Sequence, residues 1–134
     1  YLTLELTESV FMQREKETTA MINCLHDLGV QLVIDNFGTG YSSIAHLRLF
    51  PLTAIKIDRC FIHDMIEQTE NQEIIKTLIS IAHALKLKVS VEGVETTTQL
   101  DFLKKQGCDV YQGFLNSPAV SVDEIEKFLT DNIH

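Results

Sequence analysis

Leu2-Thr3-Leu4-Glu5-Leu6-Thr7 alternates apolar and polar residues without a break, the period of a strand whose two faces meet different surroundings. Leu2, Leu4 and Leu6 point one way, Thr3, Glu5 and Thr7 the other. The same division recurs in Ala54-Ile55-Lys56-Ile57-Asp58 and in Lys88-Val89-Ser90-Val91-Glu92, each strand ending in a charged group. A further strand, Gln31 to Asp35, runs into Asn36-Phe37-Gly38-Thr39-Gly40-Tyr41-Ser42-Ser43, so an acidic strand end is followed by a glycine-spaced loop. Val110-Tyr111-Gln112 reads as a short fifth strand.

Between the strands lie amphipathic helices. Met21, Cys24, Leu25 and Leu28 recur at helical spacing and Gly29 is placed as a stop. A short helix is expected around Ser43 to Leu49, ended by Pro51. Ile74, Ile75, Leu78, Ile79, Ala82 and Leu85 form the clearest stripe, and a helix carrying Leu100 and Leu103 stops at Gly107. The last helix opens with Ser121 and Glu124 in capping-box spacing and is expected to bury Val122, Ile125, Phe128 and Leu129.

Strands alternating with helices predict parallel strands joined by crossovers, an α/β fold. Helices cover the apolar strand faces, so polar groups repeated at the strand ends converge on one mouth if the sheet curls into a barrel. A complete TIM-type (β/α) barrel takes about 250 residues and eight strands. Five candidate strands predict a partial barrel of about five βα units, with unpaired edges at its first and last strands.

At 134 residues and 45% hydrophobic content, with mean hydropathy near zero, the chain fits one globular domain able to bury a core. No apolar run approaches the roughly 20 residues needed to cross a bilayer and no signal peptide opens the sequence, so a cytoplasmic location is expected. Cys24, Cys60 and Cys108 are odd in number, widely spaced and outside CxxC pairs. They read as free or buried thiols rather than a zinc site. A net charge of −8 with no basic block argues against DNA, RNA or anionic membrane as partners. His26, His46, His63, His83 and His134 form no ligand-spaced cluster.

Glu5-Leu6-Thr7-Glu8-Ser9, the Asp35-to-Ser43 loop, Lys56-Ile57-Asp58-Arg59, Val91-Glu92-Gly93-Val94-Glu95 and Gln112-Gly113-Phe114 stand in an order that resembles the EAL domain. That family hydrolyses the bacterial second messenger cyclic di-GMP to linear pGpG. The resemblance covers residues 1–134 as the C-terminal portion of such a domain, with the N-terminal barrel units expected to be absent. The parent would be a metal-dependent phosphodiesterase and this piece alone inactive.

Phosphodiester hydrolysis needs a nucleophile, neutralised phosphate oxygens and in-line geometry, which paired Mg²⁺ or Mn²⁺ ions on hard oxygen ligands supply. Glu5 and Asp35 are the obvious ligands here, and by resemblance Asp35 would bridge two ions with Asn36 beside it. The resemblance gives Lys56 the attacking water or a phosphate oxygen and makes Glu92 the general base. It places Asp58, Glu95 and Gln112 in the supporting shell, and has Glu8 brace the loop of Gly38 and Thr39. Taken singly each residue has an ordinary explanation: a solvated carboxylate, a local ion pair, a turn. The ordered set carries the reading.

Two departures bear on activity. The family normally has two aspartates where Asp35 and Asn36 stand, and an amide carries no charge, so a second ion would bind more weakly. The glutamate of the EAL signature and a metal-binding asparagine lie upstream in the family, and neither motif occurs in this sequence. The alternative is therefore a degenerate EAL module that binds cyclic di-GMP or a protein partner without catalysis. The resemblance also implies a homodimer, with sensory or cyclase-like domains upstream in a parent that is sometimes membrane-tethered.

Overall fold

Five strands pair in parallel in the order in which the chain makes them: β1 (Thr3–Thr7), β2 (Gln31–Phe37), β3 (Ala54–Ile57), β4 (Lys88–Val91) and β5 (Val110–Tyr111). The computed structural model describes residues 2–7, 15–40 and 44–131. Glu8 and the loop end Tyr41–Ser43 lie outside the described residues. The helices are α1 (Glu15–Asp27), α2 (Ile44–Leu47), α3 (Arg59–His63), α4 (Thr69–Ala84), α5 (Thr97–Gln106) and α6 (Val122–Asp131). Consecutive parallel strands each followed by a helix are the repeating unit of a (β/α) barrel, and five of them make the partial barrel expected.

The strand faces divide as the alternation predicts. Leu32, Ile34, Ile55, Ile57, Val89 and Val91 are buried with Ile22, Ile62, Ile75, Ile79 and Leu103 from the helices. Each such side chain contributes about 1.5–3 kcal/mol through its removal from water. On the opposite face the register sets Glu5 beside Val33, Val33 beside Ala54, and Lys56 beside Ser90. These side chains line a trough of about 730 Å³ that Gln112 also reaches.

Two helix faces differ from expectation. On α1 and just past its end, Met21 and Leu28 are 52% and 75% exposed and Cys24 is exposed, while Thr18 and Ile22 are buried and Leu25 is partly so. Two neighbouring stripes of α1 share the same three-and-four spacing, and the sheet takes the one carrying the β-branched Ile22. On α6 the capping box forms, with the Ser121 N–H donating to Glu124 Oε2 at 2.9 Å and the Glu124 N–H to Ser121 Oγ at 3.4 Å. Yet Val122, Ile125, Phe128 and Leu129 stay at least half exposed. Loop residues Pro118 and Val120 face α6 across a cavity of about 700 Å³ instead of a packed layer. Periodicity and a cap dictate a helix; burial requires an opposing surface as well.

The sheet's lower edge is pinned by Asp109, whose Oδ2 accepts from the Val89 N–H at 2.8 Å and lies 3.0 Å from His83 Nε2. Burial would push this carboxyl up, but the Val89 amide and His83 outweigh it and hold it below the usual value. A depressed carboxylate stabilises the fold above its unfolded pKa of about 4, and that contribution is lost as pH falls through the lower folded value. Urea titrations of Asp109→Asn should therefore show a deficit near neutrality that shrinks below about pH 4. A deficit constant with pH would contradict the assignment.

At the end of α4, Lys86 takes φ 61° and donates its N–H to His83 O at 2.9 Å. A left-handed lysine past a helix end costs about 1 kcal/mol relative to glycine. Lys86→Gly is expected to raise stability by about 0.5–1 kcal/mol in thermal or urea unfolding.

Candidate active site

Lys56 stands near the C-terminal end of β3, 6% exposed although charged. A buried ammonium persists only with partners. Its Nζ donates to Glu5 Oε1 at 2.6 Å and to Glu92 Oε1 at 2.7 Å. Three strands thus deliver one cation and two carboxylates to a single point: Glu5 from β1, Lys56 from β3, and Glu92 just after β4. Burial would lower the ammonium's pKa, but hydrogen bonds and charge attraction from Glu5 and Glu92 outweigh it and hold it above the usual value. Lys56 therefore stays charged, while Glu5 and Glu92 keep 46% and 34% of their side chains exposed, Glu5 to the trough and Glu92 to a smaller cavity beside it.

Asp35 pairs beside Thr7 in the ladder. Its Oδ1 accepts from the Asn36 N–H at 2.8 Å, which fixes the carboxylate locally. Register shifts here: Ile34 pairs with Ile55 but Phe37 with Ile57, so β2 carries an extra residue at the Asp35-Asn36 step. Asn36 adopts φ 56° to make this bulge. Asparagine and aspartate tolerate that conformation better than other side-chain-bearing residues, and bulges re-aim side chains next to sites. Thr39 closes the following turn, its Oγ1 donating to Asn36 O at 2.8 Å. A Cβ at Gly38 would lie 3.1 Å from Leu78 Cδ1 and 3.2 Å from Phe61 Cε2, so the loop rests directly on α3 and α4.

Of the remaining expected residues, Gln112 and Glu95 line a small cavity of about 220 Å³ together with Glu92, and Asp58 does not. Gln112 enters the trough with Glu5 and Lys56, and its N–H donates to Val91 O at 2.8 Å. Glu95 is exposed at the rim of a second cavity of about 590 Å³, which it shares with Asp58 and Arg59. Asp58 is committed to structure: its Oδ1 accepts from the Cys60 N–H at 2.7 Å and caps α3. The same carboxylate, after burial, raises the Cys60 thiol to about 11 and keeps it protonated. Cys24, Cys60 and Cys108 are all free.

Gln99 went unnoticed in the sequence. It is 5% exposed and completes a capping box with Thr96 at the start of α5. The Thr96-x-x-Gln99 spacing ahead of Leu100 and Leu103 is the signal that marks it.

Glu5, Asp35 and Glu92 offer hard carboxylate oxygens, donors that suit Mg²⁺ or Mn²⁺. Among the described residues no three His, Cys, Asp or Glu side chains form a group that could hold an ion. The donors thus fit such an ion in kind, as a partial set. No helix among the described residues is long and apolar enough to cross a membrane.

A family model described as the EAL domain matches residues 1–119. The curated cyclic di-GMP phosphodiesterase NbdA of Pseudomonas aeruginosa is 45% identical over 129 residues, covering 96% of this chain and 16% of NbdA. The c-di-GMP complex of the phosphodiesterase PaMucR superposes with a TM-score of 0.88 at 36% identity, covering 92% of this chain and 50% of that one. A manganese/cy-diGMP complex of Klebsiella pneumoniae BlrP1 gives a TM-score of 0.76 at 30% identity, over 84% of this chain and 29% of that one. The chain thus spans about a sixth of the curated relative's length and half of the MucR chain.

Proposed function

The chain belongs to the EAL domain family, and on that premise we propose that it carries part of the active site of a phosphodiesterase that opens cyclic di-GMP to linear pGpG. The observation that carries the reading is the Lys56 ammonium held between Glu5 and Glu92 on the open face of the sheet. Glu92 takes a proton from water as the water oxygen bonds to phosphorus. One P–O ester bond breaks, and the released oxygen is protonated to leave a linear dinucleotide with a terminal phosphate. Lys56 orients the water or a phosphate oxygen and offsets the negative charge gathering there. Mg²⁺ or Mn²⁺, held by Glu5 and Asp35 with ligands beyond the described residues, would supply further charge neutralisation. Gln112 borders the substrate's place in the trough, and Glu95 and Asp58 support the rim. On this reading the parent works in the bacterial cytoplasm as a homodimer, with sensory or cyclase-like domains upstream.

Asn36 favours a second reading, a module that binds cyclic di-GMP without turnover. Its left-handed backbone suits aspartate nearly as well, so Asn36→Asp is a clean test. The parent protein and this variant are assayed for pGpG release with Mg²⁺ or Mn²⁺, alongside calorimetric binding of cyclic di-GMP. The phosphodiesterase reading expects hydrolysis by the parent, enhanced in Asn36→Asp. Binding without hydrolysis in both leaves the sensor reading.

A further inference from the structure

The carboxylate of Glu92 has little of its own backbone to hold it. Its N–H reaches Ile57 O at only 3.5 Å, and the next residue, Gly93, has φ 76°. The loop from Glu92 to Glu95 is nonetheless fixed from two sides. Toward β5, the Val94 N–H donates to Gln112 O at 3.1 Å and Val94 O accepts from the Leu115 N–H at 3.1 Å. Toward α3 the tie is the buried Gln99 side chain. Its Oε1 accepts from the Glu95 N–H at 2.8 Å and the Thr96 N–H at 3.0 Å, while its Nε2 donates to Ile62 O at 3.0 Å. An ordinary capping box would need only the first half of this arrangement. The amide's other end spends its donor on a different helix, the one that follows Lys56-Ile57-Asp58.

We propose that Gln99 is a positioning residue for Glu92: it clamps the loop after β4 to α3 and so sets the Glu92 carboxylate on the Lys56 ammonium. Gly93 makes the close approach possible, because a Cβ there would lie 2.8 Å from Arg59 Cβ at the head of α3. Lys56 is carried by β3 and Glu5 by β1, so the Lys56–Glu5 contact does not pass through the clamp. That asymmetry separates positioning from general stability. Losing the clamp frees one of the two ion pairs; general weakening of the fold loosens both.

The test uses three variants of the full chain. Gln99→Glu keeps an acceptor for the Glu95 and Thr96 amides and removes the donor to Ile62 O. Gln99→Met removes both ends at similar length, and Thr96→Ala weakens the helix cap while leaving the Gln99 side chain intact. Hydrogen-bond couplings from the Lys56 ammonium to the two carboxylates are read by NMR, with the Leu103 amide as a check that α5 is formed. In both Gln99 variants the Glu92 coupling should vanish and the Glu5 coupling persist; in Thr96→Ala both should persist. Retention of both couplings in the Gln99 variants, or their loss in step, overturns the clamp. So does a Thr96→Ala result matching Gln99→Glu.

The catalytic consequence rests on the phosphodiesterase reading. In the parent enzyme Gln99→Glu should lower kcat about tenfold with KM within about twofold, and should add nothing on top of Glu92→Gln. An undiminished effect in the Glu92→Gln background would sink it. Absence of hydrolysis by the unaltered parent counts against the phosphodiesterase reading alone, and the NMR couplings still decide the clamp.

Discussion

Glu92→Gln is expected to slow cyclic di-GMP hydrolysis by the parent enzyme about 10²- to 10⁴-fold while leaving affinity for the dinucleotide within a few-fold. The substitution preserves length and an oxygen that can still accept from Lys56 Nζ, now 2.7 Å from Glu92 Oε1. The ground-state arrangement therefore survives, and what is lost is the ability to take a proton. A base removed in this way lowers kcat and kcat/KM together. Turnover and calorimetric binding measured on the same preparation check it. Hydrolysis that survives the change within a factor of about ten would remove Glu92 from the role of base.

Lys56→Met separates chemistry from stability at the same point. It leaves Glu5 and Glu92 facing one another without their shared cation, but both carboxylates reach water, at 46% and 34% exposure. Solvent screening keeps the repulsion small, and methionine avoids the cost of burying an ammonium. The fold should change by about 1 kcal/mol or less, while hydrolysis falls as far as in Glu92→Gln. A large loss of stability would mean that the pair of bridges serves the sheet rather than the reaction.

Period-two alternation made the sheet legible, because a strand between helices and a polar trough must sort its residues by side. It also placed Glu5, Lys56 and Glu92 on one face before their contacts were visible. What alternation cannot express is competition for a carboxylate. Asp58 has the same position after its strand as Glu92, yet the start of α3 claims it as a cap. A helix of only five residues leaves no periodic signal to announce that claim. The misplaced face of α1 has a related cause, since spacing defines a stripe but not which of two adjacent stripes meets the sheet. On α6 the sequence dictates the helix and its cap, while the burial of Phe128 and Leu129 depends on a surface that helical periodicity cannot specify.

Among Gly29, Gly38, Gly93, Gly107 and Gly113, the change to alanine should be most damaging at Gly113. A Cβ at Gly113 would lie 2.1 Å from Val94 O and 2.4 Å from Val94 N. Both are backbone atoms, and neither can swing aside as a side-chain tip could. Val94 is also where the loop after β4 is tied toward β5, through the Val94 N–H to Gln112 O and the Leu115 N–H to Val94 O, each at 3.1 Å. Relieving the overlap means breaking those hydrogen bonds and moving Gln112 away from the trough. The expected cost is about 3 kcal/mol or more, or a fall in Tm of about 10 °C for a domain of this size. Gly29→Ala is the control: no heavy atom stands within 4 Å of its added Cβ, and only the left-handed φ of 81° is strained. That change should cost about 1 kcal/mol. Equal effects at the two positions would show that the loop after β4 yields to crowding, and that Glu92 is held by something other than the packing of its own loop against β5.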